Sequence, residues 1–449
     1  MTLLAAYKKH YKETIRLGVP IMMGQLGVII VGFADNIMVG HHSTVELAAA
    51  SFVNNFFNLA FIFGLGFSYG LTPIIGELFA KGDHHKVGEM LKSSLFLNFI
   101  VGILLSALML LLLFNIDILR QPEELMPYIV PYYLLQLVSI VFVMLFNAFK
   151  QFSDGTTDTL TPMWILLGAN LMNIIGNYLL IYGKWGFPEL GLTGAGISTL
   201  VSRVLSLVVF CLLFAKREKY KTFLSGFKTG VINRMNLSRL MHIGLPVGLL
   251  MGVETASFSL SVIMMGWIGS TALAAHQIAC VVTTLGFMVY YGIAAAVTIR
   301  VSMFKGSGDR LSIRRASFSG LHLIMCVALL FVLFLFASHK YLGYLFTPEE
   351  DVVALVAVMS WPIAVYQFGD GLQILFANAL RGIADVKYMT YCAVFCHFGL
   401  ALPIGYLCGF TLGWGALGVW CGFPISLTTL GVLLWRRFNK LTLGNTTKG

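Results

Sequence analysis

Three acidic side chains of this 449-residue sequence lie inside long apolar runs, where a carboxylate is costly to place. They are Asp35, Glu254 and Asp370, whereas the other acids fall in polar stretches or at the ends of apolar runs. On insertion scales a charged residue at the centre of a bilayer costs about 3 kcal/mol, and such residues usually face a cavity and act on ions or substrates. These three acids are therefore predicted to form binding sites.

Further side chains that carry oxygen atoms accompany these acids. Tyr366 precedes Asp370 by one helical turn on the same face; the others are Asn36, Asn173, Asn177 and Thr199. Carboxylate, hydroxyl and amide oxygens are the ligands that a hard cation such as Na⁺ prefers. The same groups hydrogen-bond a protonated carboxyl group, whose neutral form burial favours. Na⁺ and H⁺ therefore both remain candidates for the bound ion. Alternatively, Asn173 and Asn177 only form hydrogen bonds between helices.

Three more residues stand out because of their place inside apolar runs. Arg203 is the single cation in the middle of a run, so it either pairs with an acid or extends toward the cytoplasmic interface. Pro20 and Pro246 occupy matching places in the first and seventh runs. Each proline is either tolerated near a helix start, or marks a bend that lets the helix change shape.

The composition places most of this chain in lipid. Hydrophobic residues make up 58% of it and charged residues 11%, with a mean hydropathy of +0.84, whereas soluble proteins carry about 25% charged residues. These values exclude a soluble enzyme and a disordered chain. Runs of about 20 apolar residues predict an all-α polytopic membrane protein with twelve transmembrane helices. The runs lie near 13–39, 47–76, 90–114, 126–150, 160–183, 191–215, 240–267, 273–301, 316–338, 352–380, 388–410 and 413–435.

Basic residues predict the orientation of these spans. Most of the 30 lysines and arginines lie at the N-terminus, at the even-numbered junctions or at the C-terminus, and only Arg120, Lys184 and Lys340 fall in junctions on the opposite side. This bias predicts a multi-pass membrane protein with both termini in the cytoplasm. The net charge of +10 is then a topology signal that faces anionic membrane lipids, and no nucleic-acid partner is expected.

The two halves of the sequence repeat each other at a nearly constant offset. Gly18 and Pro20 match Gly244 and Pro246, and Leu47-Ala48-Ala49 matches Leu273-Ala274-Ala275. Each half has six spans, so the halves enter the membrane from the same side and are related by a pseudo-two-fold axis along the membrane normal. The predicted organisation is an N-terminal lobe at 1–215, a basic cytoplasmic linker at 216–239 and a C-terminal lobe at 240–449.

The repeat does not duplicate the acids. Asp35 aligns with Ser261, Glu254 with Val28, and Asp370 with Ser139. Each lobe therefore carries its own acids, which favours a role in a site over a role in maintaining the duplicated fold.

Motifs of other function classes are absent from the sequence. It has no GxSxG, HExxH or Walker A motif, and its seven cysteines have no metal-ligand spacing. We therefore expect that the protein is not an enzyme and has no cofactor. The energy for its activity is expected to come from an ion gradient. A channel is disfavoured because ion pores usually have rings of like residues from symmetric subunits.

Four short stretches resemble the multidrug and toxic compound extrusion (MATE) transporters, in particular the NorM-type branch. They are Leu17-Gly18-Val19-Pro20, Ile243-Gly244-Leu245-Pro246, Leu273-Ala274-Ala275-His276-Gln277-Ile278-Ala279 and Ala379-Leu380-Arg381-Gly382-Ile383-Ala384-Asp385. The N-terminal copy of the last motif departs from the pattern, with Lys150-Gln151 where Arg-Gly is usual.

The resemblance implies a secondary antiporter that exports cationic lipophilic drugs in exchange for Na⁺ or H⁺ by rocker-switch alternating access. It implies cation binding by Glu254, Asp370 and Tyr366, and ion or proton linkage at Asp35. The residues that assist Asp35 are Asn173, Asn177 and Thr199, and the candidates for the substrate cavity or for gating are Asn36, Arg203, Gln277, Pro20 and Pro246. The transporter is expected to be a monomer in the bacterial inner membrane, with organic cations and lipids as its partners. The alternative is a lipid-linked oligosaccharide flippase, whose cavity should be cationic, whereas three acids against Arg203 predict an acidic one.

Overall fold

The computed structural model describes residues 3–115 and 122–443, and α-helices form most of these ranges. Within them, twelve helical segments are long and apolar enough to cross a membrane, and each coincides with one of the predicted runs. The prediction of a twelve-helix polytopic membrane protein is confirmed. Arg120, which belongs to the predicted charge bias, lies outside the described residues.

The helices follow one another with short connections. Those of the first half are α1 (Leu3–His42), α2 (Thr44–Ser68), α3 (Leu71–Ala80), α4 (His84–Phe114), α5 (Met126–Gly155), α6 (Leu160–Ile181), α7 (Gly191–Lys216) and α8 (Glu218–Thr229). Those of the second half are α9 (Arg234–Ile268), α10 (Ser270–Gly306), α11 (Arg310–Leu342), α12 (Glu350–Gly382), α13 (Lys387–Val394), α14 (Leu402–Tyr406) and α15 (Gly415–Leu443). Two π-helical turns, Phe395–Ala401 and Leu407–Thr411, flank α14, so the eleventh span is irregular.

The chain forms two compact units whose boundaries fall inside helices. The first unit consists of the described parts of Met1–Met22 and Leu249–Gly449, and the second of Met23–Gly248. Helices α1 and α9 therefore each contribute to both units, and Pro20 and Pro246 lie close to the two boundaries. The lobe boundaries drawn along the sequence stay a prediction.

Within the first unit, the start of α1 is bound to α10. Arg300 on α10 donates from Nη1 to the carbonyl oxygen of His10 at 2.9 Å and to Thr14 Oγ1 at 2.7 Å. One turn further on, a Cβ atom at Gly18 would lie 2.9 Å from the carbonyl oxygen of Gly292. The two backbones approach closely because neither residue has a side chain.

Within the second unit, the start of α9 has a similar attachment to α2 and α3. Arg239 forms an ion pair with Glu77, with 3.0 Å between Nη2 and Oε2. A Cβ atom at Gly244 would lie 2.7 Å from the carbonyl oxygen of Phe67, and one at Gly248 would lie 3.0 Å from that of Phe63. The four-residue spacing of these glycines puts both on one face of α9, as in small-residue helix contacts of membrane proteins.

The predicted linker contains the amphipathic helix α8, which packs against α4. Its apolar face buries Tyr220 and Phe223. The two helices touch at Gly88 and Gly226, where an added Cβ atom would lie 2.0 Å from the carbonyl oxygen of Phe223 and 1.9 Å from that of His85. The linker is therefore a packed element of the second unit.

Asp158, in the turn between α5 and α6, attaches this turn to α8. Its carboxylate forms an ion pair with Lys219 and accepts hydrogen bonds from the Tyr220 hydroxyl and, at 3.4 Å, from the backbone N–H of Thr161. Burial by itself raises the pKa of Asp158, but the hydrogen bonds from Lys219, Thr161 and Tyr220 outweigh it and hold the pKa below its ordinary value. The ionised form therefore stabilises the fold.

Replacing Asp158 with asparagine is expected to lower the free energy of unfolding by about 1–3 kcal/mol at neutral pH, because hydrogen bonds to a charged group are lost. A carboxyl group whose pKa is lower in the folded than in the unfolded protein stabilises the fold. This stabilisation is fully present above the ordinary aspartate pKa of about 3.9, and it is lost as the pH falls through the lower pKa of the folded state. Thermal unfolding in detergent should therefore separate wild type from variant at pH 7 and bring them together only once the pH has fallen below the native pKa of Asp158, which lies under its ordinary value. Glu218→Gln, which changes an exposed acid of α8, is the control, and a gap that persists at low pH would contradict the assignment.

Candidate functional sites

A cavity lies in the second unit between α1, α2, α5, α6 and α7, and its lining is mainly apolar with several polar side chains. It has a volume of about 470 Å³, within the range of about 300–1,000 Å³ that is usual for small-molecule sites. Its wall is partly aromatic, with Phe57, Phe61 and Phe146 among the lining residues. Five of the predicted site residues also line it: Asp35, Asn36, Asn173, Thr199 and Arg203.

Asp35 is held at the wall of this cavity by the two asparagines of α6. Asn177 donates from its side-chain amide to Asp35 Oδ1. With the amide of Asn173 turned so that its nitrogen faces the carboxylate, Asn173 donates to the same oxygen at 3.0 Å and accepts from the Thr199 hydroxyl at 3.1 Å. Asn173 and Asn177 are both buried, whereas Asp35 is half-buried. The structure therefore brings together the four residues that the sequence analysis assigned to the N-terminal site.

Arg203 enters the same cavity from α7, but its hydrogen-bond partners are neutral. Its Nη1 donates to Gln136 Oε1 at 2.8 Å and to the hydroxyl of Ser139. The guanidinium carbon lies 4.8 Å from the centre of the Phe61 ring, in cation–π geometry. Two arrangements were predicted for Arg203, an ion pair with an acid or extension to the interface. The observed contacts correspond to neither of them.

The first unit contains the other two membrane-embedded acids. Asp370, on α12, is fully buried, and Glu254, on α9, is half-buried. The buried Tyr366 lies one turn before Asp370 on α12, and its ring contacts Phe258, which lies one turn after Glu254 on α9. Tyr366 is fixed by ring contacts with Phe258 and Trp420. The structure therefore groups the three residues that the sequence analysis assigned to cation binding.

Asp370 has no partner of its own among the described residues. Neither Oδ1 nor Oδ2 accepts a hydrogen bond, and both atoms are inaccessible. Gln367 Nε2, Ser257 Oγ and both ring nitrogens of the buried His397 also lack a partner among the described residues of this unit. A buried carboxylate without a compensating contact is strongly unfavourable in its charged form.

Several polar residues that support these sites are not among those predicted from the sequence. Gln136 and Ser139 hold Arg203, Gln367 accepts from the Tyr290 hydroxyl at 2.9 Å, and His276 accepts from Trp420 Nε1 at 3.0 Å. Each is a polar side chain inside an apolar run, which is the signal that would have found them.

The remaining candidates are less closely tied to the two sites. Asn36 lines the cavity of the second unit and is exposed. Gln277 is exposed, and its buried neighbour His276 is the residue that contacts Trp420. Pro20 and Pro246 lie inside continuous helices, so the structure does not show a break at either proline.

Comparison with known proteins agrees with this architecture. The MatE family profile matches residues 20–179 and 246–407, one stretch in each half of the chain. The chain is 30% identical over 443 residues to the probable multidrug resistance protein NorM of Xanthomonas campestris pv. campestris, with 97% of this chain and 95% of that protein covered. It is also 30% identical over 439 residues to the multidrug resistance protein NorM of Vibrio cholerae serotype O1, covering 96% of this chain and 95% of that protein.

Solved structures share the fold at lower identity. A MATE transporter of Vibrio cholerae superposes with a TM-score of 0.89 at 17% identity, covering 98% of this chain and 99% of that one. A eukaryotic MATE transporter superposes with a TM-score of 0.87, also at 17% identity, covering 98% of both chains.

Proposed function

The chain belongs to the MatE family and is a multidrug efflux transporter, and we propose that it works as an antiporter that exports cationic lipophilic compounds in exchange for Na⁺ or H⁺. Its relatives are membrane transporters, so the chain is not an enzyme. In the proposed cycle a single chain alternates between two states by a rocker-switch movement, and the coupling ion and the drug compete for the same carboxylates.

The observation that carries this proposal is the buried carboxylate of Asp370, whose two oxygens have no hydrogen-bond partner among the described residues. Such a group favours any bound cation that neutralises it. H⁺, Na⁺ and the positive charge of a drug all satisfy this condition, and Glu254 adds a second negative charge nearby. Binding of one of them therefore weakens binding of the others, which is the coupling that an antiporter needs.

Asp35 supports the proposal from the second unit. Its carboxylate receives amide hydrogen bonds from Asn173 and Asn177 and lines a cavity of drug size. The amide donors stabilise the ionised form of Asp35. We therefore propose that Asp35 links transport to the ion gradient, and that Asp370 and Glu254 bind the exchanged cation. The first unit's pair of acids also disfavours the oligosaccharide flippase, since a diphosphate group needs cationic partners.

The test is dye efflux from everted membrane vesicles with the two gradients imposed separately. One set of vesicles receives a Na⁺ gradient at equal pH, and the other receives a pH gradient at equal Na⁺. At least one gradient should drive accumulation of a cationic dye above that of vesicles without the protein. Accumulation that depends on neither gradient would reject ion-coupled antiport.

We propose in addition that the protein lies in the inner membrane of a bacterium, since its relatives are bacterial transporters, and that both termini are cytoplasmic, as the distribution of basic residues indicates. A green fluorescent protein fused to the C-terminus should then fluoresce, because it folds in the cytoplasm. An alkaline phosphatase fused at the same place should be inactive. The opposite pair of results would reverse the orientation.

A further inference from the structure

Gln367 lies one turn before Asp370 on α12 and carries a hydrogen-bond donor that is not used. Both side chains are fully buried. Gln367 Nε2 has no partner among the described residues, and the same holds for both carboxylate oxygens of Asp370. Residues three positions apart are neighbours on the surface of a helix. An unused donor and two unused acceptors are therefore placed beside each other, although each of them is costly to bury without a partner.

Helix α10 sets the orientation of the Gln367 amide. The amide oxygen Oε1 accepts from the hydroxyl of the buried Tyr290 at 2.9 Å. The amide also lies against Gly286, one turn earlier on α10, where an added Cβ atom would lie 2.6 Å from Oε1 and 3.5 Å from Nε2. The oxygen of the amide is thus engaged by α10, and its nitrogen is left as a donor for another group.

The other acid of the first unit has a neighbour of the same kind. Ser257 follows Glu254 by three residues on α9 and is fully buried, and its hydroxyl has no partner within the part of the chain that the structure describes. A serine inside a helix can bond to a carbonyl oxygen of the preceding turn, as Ser261 does with Phe258 at 2.7 Å. Ser257 does not, so both acids of this unit have an unused polar group one turn away.

The second unit shows what an amide can do for a carboxylate inside an apolar run. Asn177 donates to Asp35 Oδ1, and Asn173 reaches the same oxygen when its amide nitrogen faces the carboxylate. Hydrogen bonds donated to a carboxylate favour its ionised form. In the first unit, the amide of Gln367 is the group one turn from Asp370 that can supply such a bond.

From these observations we propose that Gln367 is a further residue of the cation site, whose amide donates to the Asp370 carboxylate when no cation is bound there and so competes with the cation. The inference rests on the proposed function, in which Asp370 exchanges cations. An emptied, buried carboxylate is strongly unfavourable without a compensating contact. The amide reduces this cost, so that a cation can leave and be replaced. Tyr290 is a positioning residue, because it engages the amide oxygen and leaves the nitrogen for Asp370.

This role predicts the sign of a binding change. Removing a ligand of the cation weakens binding, whereas removing a competitor strengthens it. Gln367→Met keeps a side chain of similar length and removes the donor, so the variant should bind a cationic rhodamine ester about tenfold or more tightly than wild type. The dissociation constants are measured by fluorescence anisotropy on the full-length protein purified in detergent.

Further variants identify the cause of the change. In Asp370→Asn protein, Gln367→Met should leave the dissociation constant unchanged, because the carboxylate for which the amide competes is absent. Tyr290→Phe should shift the constant in the same direction as Gln367→Met but less, and it covers the case in which Gln367→Met does not fold. Thr429→Val removes a hydroxyl of α15 that bonds to the carbonyl oxygen of Ile425 on its own helix, and it should bind like wild type.

Transport in everted vesicles supplies a second signature. Gln367→Met should lower both the dye concentration at half-maximal rate and the maximal rate, by about tenfold each, because a cation that is bound more tightly also leaves more slowly. A variant that only disturbs the packing of α12 would lower the maximal rate without tighter binding.

A dissociation constant that Gln367→Met raises or leaves unchanged would overturn the inference, as would the same result for Tyr290→Phe if Gln367→Met does not fold. Tightening that persists in Asp370→Asn protein would also overturn it. The proposed function fails by a different result, which is dye efflux from wild-type vesicles that depends on neither gradient. Binding in detergent requires no gradient, so the two failures are distinguishable.

Discussion

Replacing Asp370 with asparagine is expected to reduce gradient-driven dye efflux from everted vesicles to the level of vesicles without the protein. The carboxyl group of Asp370 is fully buried, and its two oxygens have no hydrogen-bond partner among the described residues. An amide of nearly the same shape keeps the packing but cannot exchange a proton or balance a bound cation. The variant should therefore fold and reach the membrane while losing ion–drug exchange.

Glu254→Gln is expected to have a smaller but still large effect, because Glu254 is half-buried and, in the proposed site, adds a second carboxylate to that of Asp370. Glu350→Gln is the matched control, since Glu350 is an exposed acid in the first turn of the same helix as Asp370. It should transport like wild type. Expression and thermal unfolding of the three variants are measured in parallel, so that loss of transport is separated from loss of protein.

Full efflux by Asp370→Asn and Glu254→Gln would remove the basis of the proposed exchange in the first unit. The coupling ion would then have to act at Asp35 alone. Both variants could instead retain efflux that no longer depends on the gradient. This result would show that the protein still carries the drug but no longer exchanges it for an ion.

The fold of this chain follows from its sequence because a bilayer leaves few alternatives. Each apolar run has to form a helix long enough to satisfy its own backbone, so run length and hydropathy are sufficient to place the spans. The four-residue spacing of Asn173 and Asn177 likewise puts both on one helix face, and both contact Asp35.

The remaining features depend on how the helices pack, which hydropathy does not encode. The partners of Arg203 on α5 are set by the rotation of two helices against each other, and the sequence gives no sign of that rotation. The division of α1 and α9 between two compact units has the same cause, since apolar character is similar on both sides of each boundary. The irregular eleventh span, with its two π-helical turns, also has no signal in the hydrophobic pattern.

The contact of α9 with α2 leads to the second large prediction. Gly244→Val should lower dye efflux more than tenfold and should lower the thermal midpoint by several degrees. A Cβ atom at position 244 would lie 2.7 Å from the carbonyl oxygen of Phe67, and a backbone atom cannot move aside as a flexible side chain can. Overpacking of this kind typically costs about 1–3 kcal/mol.

The functional part of this prediction follows from alternating access. A transporter populates both states only if their free energies are similar. A change of a few kcal/mol in the free energy of one state therefore stops the cycle. Valine at position 244 acts on the state in which α9 lies against α2. Gly266→Val on the same helix is the control, because a Cβ atom there has no neighbour within 4 Å. Equal transport by the two variants would show that the close approach of α9 to α2 is a static feature of the fold and takes no part in the cycle.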